Sequence, residues 1–405
     1  WKEIPQPVDA PGDSTIYYGL NKLRALPITV RPGNFIYDIA FTSNKIWIVS
    51  YYGGLRSARI DSLISNPNYK WQRVVIPPDN LDSIKPTDVL KFDLSPSSGA
   101  LGFQNNLNHR AFSILAVDEN IIYVGTAGGI NKSTDGGISW IKFNHTNQSK
   151  PISGNFILAL EKNDFDNSIW AGTWKAEGQS EFWGASVSRD GGSSWENFLS
   201  GEKVRDFGFK YFGTKGNYSG ADIFAATQTG VYRSSNNGST WIASPEIKDD
   251  NTNVSINTKQ FLSVKVNSRS DNSNDIWLGS NNGLSRLNET TGFWTGSWKV
   301  FLASEKLVSI SETYAFPNPF SPDAERIKIK YSTSEAAAVT IRIFDFGMNL
   351  VRTVIQNVQR AASTEHLDLW DGKDENGKIV PNGVFFYRID LGTGKPLFGK
   401  IMVMM

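Results

Sequence analysis

One five-residue phrase recurs five times along the first three quarters of the chain. It runs β-branched residue, aromatic, two small or apolar residues, then Ser or Thr. The copies are Ile46-Trp47-Ile48-Val49-Ser50, Ile122-Tyr123-Val124-Gly125-Thr126, Ile169-Trp170-Ala171-Gly172-Thr173, Ile223-Phe224-Ala225-Ala226-Thr227 and Ile276-Trp277-Leu278-Gly279-Ser280. Their aromatic positions are 76, 47, 54 and 53 residues apart. Most of these steps are close to the roughly 40–50 residues of one four-stranded repeat. A strand precedes each phrase, for example Phe112 to Val117 or Phe261 to Val266. A second strand follows it, as at Gly230-Val231-Tyr232-Arg233, and a Trp-led strand closes the module at Trp71, Trp140, Trp195, Trp241 or Trp298. Four strands, A to D, repeated five times predict a ring of blades. No single small sheet buries both of its faces alone, and stacking against neighbours does so.

Turn residues interrupt nearly every ten-residue window, and no long helical periodicity survives, so the fold class is all-β. Three C–D turns share a second pattern. They are Ser133-Thr134-Asp135-Gly136-Gly137-Ile138-Ser139-Trp140, Ser188-Arg189-Asp190-Gly191-Gly192-Ser193-Ser194-Trp195 and Ser234-Ser235-Asn236-Asn237-Gly238-Ser239-Thr240-Trp241. Asp or Asn closes the turn onto its own backbone, Gly supplies positive φ, and Trp packs between sheets. These turns resemble the Asp-box (BNR-like) repeats of sialidases, sortilin-type receptors and xyloglucanases. The resemblance implies a four-stranded-blade β-propeller over residues 1–302, with five complete blades plus a partial one. Trp1-Lys2-Glu3-Ile4-Pro5 resembles a strand D lacking its own A to C, which implies that the chain is the C-terminal part of a longer polypeptide. The alternative is that Trp1 to Arg31 forms irregular closing strands.

Residues 303–312 read as a polar linker. Beyond them, strict alternation in Ile327-Lys328-Ile329-Lys330-Tyr331 and Val339-Thr340-Ile341-Arg342-Ile343, with about seven short strands in all, predicts a β-sandwich over 313–405. Pro317-Asn318-Pro319-Phe320, Asp345 with Gly347, Trp370-Asp371-Gly372, Asn382 to Arg388 and Gly399-Lys400 resemble the Ig-like domain of flagellar hook-capping proteins. They resemble still more the C-terminal sorting domains of type IX secretion cargo. That resemblance implies a secreted or cell-surface protein of a Gram-negative bacterium, whose C-terminal domain meets the secretion machinery. Such domains often end in a basic residue, whereas this chain ends Met402-Val403-Met404-Met405.

Composition narrows the chemistry. Residues 1–312 hold 30 basic and 30 acidic side chains and residues 313–405 hold 11 and 10, so neither part carries the basic excess of a nucleic-acid binder. The 405 residues include no Cys and only three His, which removes thiolate sites and makes a histidine metal cluster improbable; no cofactor is expected. No apolar run approaches the roughly 20 residues of a membrane span.

For catalysis, the aromatic-Arg-Ile-Pro motif of sialidases is absent. A xyloglucanase-like site needs two carboxylates facing across a cleft. Aligning the A strands on Ile39, Leu115, Ala159, Phe207 and Val264 sets Asp38 and Asp206 at one register, the sole weak catalytic candidates. The other reading is that each bonds to a neighbouring blade's backbone. For binding, the enlarged B–C loop of module three carries Trp174, Phe182 and Trp183, with Tyr51 and Tyr52 in the matching loop of module one. These rings form either a stacking platform for a glycan or surface protein, or a mini-core. The long connection Pro77 to Arg110 is expected to dock on the same face through Phe92, Leu101 and Phe103. The favoured reading is a non-catalytic binding or scaffold protein; the alternatives are a sialidase- or xyloglucanase-like glycoside hydrolase and a structural subunit of an extracellular assembly.

Overall fold

The computed structural model describes residues 4–30, 34–66, 68–97, 102–251, 254–268, 274–290, 292–302, 307, 309–323, 325–392 and 394–405. Trp1 to Glu3, Leu101 and half of the 303–312 segment (303–306 and 308) lie outside them. The chain divides into two compact units, Trp1–Phe301 and Leu302–Met405.

The first unit holds five antiparallel meanders in which strands A, B, C and D pair in sequence order. Sheet one is Ile36–Phe41, Lys45–Ser50, Gly54–Arg59 and Gln72–Arg73. Sheet two is Ala111–Ala116, Ile122–Thr126, Gly129–Ser133 and Trp140–Phe143, extended by Ser83–Ile84. Sheets three and four are Phe156–Lys162, Ile169–Trp174, Gly184–Ser188, Glu196–Phe198, then Val204–Thr214, Asn217–Thr227, Val231–Ser234, Ile242–Ala243. Sheet five is Phe261–Ser268, Asn274–Ser280, Gly283–Glu289 and Gly296–Phe301. The five A strands lie side by side in chain order, the arrangement of propeller blades around a common axis.

One packing joint repeats between consecutive sheets. The recurrent aromatic of strand B meets an apolar residue on strand A of the next sheet. Trp47 shares a core with Ile114, Tyr123 with Leu160, Trp170 with Phe207 and Phe224 with Val264. Fully burying one such side chain contributes roughly 2–3 kcal/mol. The Trp that opens strand D packs backward onto the preceding sheet: Trp140 joins Trp47, Trp195 joins Tyr123, and Trp241 lies 6.2 Å from Trp170. The second turn glycine is needed for this approach. A Cβ on Gly137 would stand 2.7 Å from the Trp47 ring and one on Gly192 2.4 Å from Phe143, and both residues have positive φ.

The turns themselves are alike atom by atom. Ser133 Oγ accepts from Gly137 N–H at 2.9 Å and donates to Asp135 Oδ1 at 2.8 Å, which in turn accepts from Ser139 N–H at 2.8 Å. Ser188, Asp190, Gly192 and Ser194 repeat the set. Asn236 repeats it through its amide oxygen and adds a bond from Nδ2 to Thr240 Oγ1 at 2.9 Å.

Strand pairing corrects the A-strand alignment in two sheets. Ile39, Phe207 and Val264 pair one residue beyond a bulge, opposite Ile48, Ala225 and Leu278. Their equivalents are Ile114 and Leu160, which pair with Val124 and Ala171, not Leu115 and Ala159; the bulge recurs at the same place in all five A strands, and it is the A–B turn that differs in length between sheets. Asp38 and Asp206 do share a register. The connection from Pro77 to Arg110 is also not structureless. Ser83–Ile84 pairs with strand D of sheet two, and Asp93–Leu94 runs parallel to Asn21–Ala25, which forms a hairpin with Thr15–Tyr18. Phe92 enters the core between sheets one and two, and Phe103 lies under Arg24. Ile4 and Pro5 are not in a strand, so the described part of the expected partial blade is irregular.

The second unit packs a three-stranded sheet, Tyr314–Phe316, Ile327–Thr333 and Thr364–Trp370, against a four-stranded one in the order Leu350–Arg360, Ala337–Phe344, Gly383–Leu391, Leu397–Val403. Ile329, Ile341, Trp370, Tyr387 and Ile401 fill the space between them. The alternating residues of each strand supply that core, as period-two patterning requires.

Candidate functional site

The end of the blades where strand B finishes and strand A begins carries a band of rings. Tyr51 and Tyr52 occupy the B–C turn of sheet one, with ring centroids 4.6 Å apart. Tyr51 continues to Phe112 on strand A of sheet two at 6.1 Å, Phe112 to Phe156 on strand A of sheet three at 4.5 Å, and Phe156 to Trp174 at the end of strand B at 6.2 Å. Cations are interleaved. Arg110 lies over Tyr51 at 5.1 Å, Arg205 over Trp174 at 5.2 Å, and Lys203 stands 5.4 Å from the Trp174 ring and 4.7 Å from Trp183.

The band is ordered from below. Trp174 donates from Nε1 to Val204 O at 2.7 Å, which ties the loop of sheet three to the start of sheet four. The loop is closed by Glu181, buried at its base. Its two carboxylate oxygens accept from the backbone N–H of Asn155, Ala176 and Gly178 at 2.7–3.1 Å and from Asn155 Nδ2 at 3.0 Å. Tyr52 and Trp183 present 46% and 38% of their surface, whereas Phe112 is buried, so the band has an open top and a packed base. Phe182 is half-buried and has no ring partner among the described residues; its N–H donates to Ser153 O at 2.9 Å.

Among the described residues, none of Arg110, Lys203 and Arg205 pairs with a carboxylate. Arg110 donates to Pro96 O at 2.7 Å and Asn105 Oδ1 at 3.0 Å, and Arg205 Nε is buried without a partner. Burial lowers the Arg205 pKa, although it stays a cation at any ordinary pH. Five of these positions escape a reading by sequence alone: Arg110, Phe112, Phe156, Lys203 and Arg205 come from three sheets and carry no local motif. The one local signal is the Lys203–Arg205 pair flanking the first residue of a strand.

The two candidate acids lie on the inner strands. Asp38 Oδ2 accepts from Ile114 N–H at 2.9 Å and Oδ1 from Ile39 N–H at 2.8 Å. Asp206 Oδ2 accepts from Val264 N–H at 3.0 Å; its Oδ1 takes Phe207 N–H at 2.9 Å and Lys265 Nζ at 3.1 Å. Lys265 also pairs with Glu161. Each acid is thus a strap from one blade to the backbone of the next. Burial raises the Asp38 pKa, and burial pushes Asp206 up to about 6 against the opposing pull of Lys265. Among the described residues no group of three acids, histidines or cysteines is placed to hold a metal ion.

In the second unit, Asn318 clasps the final strand. Its Nδ2 donates to Lys400 O at 2.9 Å and its Oδ1 accepts from Met402 N–H at 2.8 Å, while Phe320 exchanges backbone bonds with Met402 and Met404 at 3.0 Å. Pro317 and Pro319 flank this asparagine through cis peptide bonds. Gly399 lies under the Tyr387 ring, 2.2 Å from where a Cβ would sit, and the Lys400 side chain is exposed.

No family model matches the chain, and no curated protein matches it. Solved structures similar to it include PorZ, a surface component of the type IX secretion system of Porphyromonas gingivalis, at 13% identity and a TM-score of 0.37 over 92% of this chain and 51% of that one. A GH74 enzyme of Niastella koreensis matches at 15% identity and a TM-score of 0.42, over 92% of this chain and 46% of that one. A family 43 arabinoxylan arabinofuranohydrolase of Bacillus subtilis matches at 11% identity and a TM-score of 0.30, over 91% and 94%. The chain spans about half the length of the first two. No helix among the described residues is long and apolar enough to cross a membrane.

Proposed function

We propose that this is a non-catalytic, exported binding protein whose propeller presents the aromatic and cationic band to an acidic glycan. The carrying observation is the set of three cations that have no carboxylate partner among the described residues, each placed over a ring of the band. Ring faces stack on the apolar faces of sugars, and unpaired guanidinium and ammonium groups meet uronate-type carboxylates. A nucleic-acid ligand is disfavoured by the 30-to-30 charge balance of residues 1–312, because strand binding relies on many phosphate contacts. The non-catalytic part of the reading rests on Asp38 and Asp206, whose oxygens are engaged by backbone N–H groups. Affinity electrophoresis through gels containing polygalacturonate or neutral xyloglucan tests both parts. Retardation is expected in the acidic polymer, with no release of reducing ends from either. Retardation by xyloglucan alone, or turnover abolished by Asp206→Asn, promotes the hydrolase reading.

Export is assigned to residues 313–405 on their resemblance to sorting domains, which is carried by Pro317-Asn318-Pro319 and Gly399-Lys400. The propeller of residues 1–302 with its Asp-box turns and the 303–312 linker belong to the same reading, and the second unit is read as Ig-like. Fusing 313–405 to a periplasmic reporter in a type IX-competent host should deliver the reporter to the surface or medium. A reporter left in the periplasm reduces this unit to a spacer.

A further inference from the structure

Because the joints between sheets are built alike, both ends of the array can be compared with its interior. At the strand-A position that receives the preceding blade, Ile114, Leu160, Phe207 and Val264 are 4, 4, 0 and 0% exposed; the equivalent Ile39 of sheet one is 47% exposed. Phe41, on the same face of that strand, is 59% exposed. The outer half of this face is covered, because Leu63 of the short helix Ile60–Ser65 and Trp71 close over Ile46, Ile48 and Ala58. The inner strand is left bare.

Sheet five is bare on its opposite face. At the strand-C position that meets the next blade, Leu55, Ile130, Ala185 and Val231 are 2, 0, 0 and 0% exposed, whereas the equivalent Leu284 is 39% exposed. The recurrent aromatic is buried in sheets one to four. Trp277 of sheet five is only half-buried, with Phe301 of its own sheet stacked at 5.7 Å.

These two faces are the opposite halves of one joint. We propose that they are seats for further four-stranded blades contributed by polypeptide that precedes Trp1 in the full-length protein. The strand-B aromatic of the last such blade rests on Ile39, and an apolar strand-A residue of the first rests on Trp277 and Leu284. The surface continues the four established joints, which fixes the chemistry of the occupant as a blade. Ring size selects the source. Propellers typically close with four to eight blades, so one to three added blades complete a ring, whereas a second copy brings the total to ten. A head-to-tail contact between copies that failed to close would build filaments.

The 405 residues contain no Cys, so an introduced thiol is the single one among them, and its alkylation is read on the peptide that carries it. Ile39→Cys and Leu284→Cys are made in the 405-residue chain and in the full-length polypeptide, with the interior Val231→Cys as the protected reference. Alkylation of both reporters should run at the free-thiol rate in the dilute 405-residue chain. In the full-length polypeptide both should slow at least 100-fold, toward the Val231→Cys rate. Fast labelling in the full-length polypeptide overturns the proposal, and so does slow labelling in the dilute 405-residue chain. Sedimentation mass of the unsubstituted 405-residue chain is an independent reading that needs no variant. A monomer is expected, and a concentration-dependent dimer that protects both thiols overturns the proposal in favour of a second copy.

Discussion

At residue scale, the three serine-led turns act as a built-in substitution series. Asn236 makes the same oxygen-accepted bonds as Asp135 and Asp190, so the bond geometry and not the negative charge holds the turn. Asp135→Asn should therefore cost less than about 0.5 kcal/mol, while Asp135→Ala, which strands the Ser139 and Ile138 N–H groups, should cost about 1–2 kcal/mol. Trp140→Ala should cost about 3–5 kcal/mol through the cavity left against Trp47. Urea titration of the three variants ranks them, and equal losses for Asn and Ala contradict the turn account.

Asp206 gives the pH dependence. Its carboxyl is raised from 3.8 to about 6 in the folded state, so the folded chain holds this proton more tightly than the unfolded chain. Stability from this group is then full below about pH 4 and falls as the pH rises to about 6, by about 1–3 kcal/mol. Asp206→Asn should flatten that segment of the stability profile. A wild-type curve that rises through the same window without any component removed by the substitution contradicts the assignment.

At the scale of elements, legibility follows the periodic residues. The strand-B phrase is readable because its aromatic is the residue that every joint buries, and all five copies sit on paired strands. The A strands are harder to register, because the turn from A to B differs in length: four residues separate the paired ends Phe41 and Ile46 in sheet one, and six separate Lys162 and Ile169 in sheet three. Strands within Trp1 to Arg31 are one of the two sequence readings, and Thr15–Tyr18 and Asn21–Ala25 form them; their pairing with Asp93–Leu94, far along the chain, leaves no local signal. In the second unit, strict alternation announced the strands, while the reason for Gly399 required the Tyr387 ring above it. Gly399→Ala forces that ring aside and should lower the stability of the unit that contains it by about 1–3 kcal/mol. Differential scanning calorimetry of the full chain checks this, and an unchanged thermogram contradicts the close approach.

At the scale of the molecule, the candidate site shows what a sequence hides. Trp174, Trp183, Tyr51 and Tyr52 stood out as aromatic loop residues, and all four lie in the band. The cations that give it chemical character do not stand out, because Arg110 lies nearly a hundred residues from Lys203 and Arg205. The register of Asp38 and Asp206 and the reading that each bonds to a neighbouring blade's backbone are both legible in the sequence; the backbone partners, Ile114 and Val264, are seen only in the structure. The central claim is that the band binds an acidic glycan. It is tested most directly by titration calorimetry of the protein and of its Trp174→Ala and Lys203→Ala variants with an oligogalacturonate. The account predicts saturable binding that weakens as salt rises, and at least a tenfold loss of affinity in each variant, about 1.4 kcal/mol. Binding of undiminished affinity in both variants, or heat from a neutral oligosaccharide equal to that from the acidic one, would contradict it.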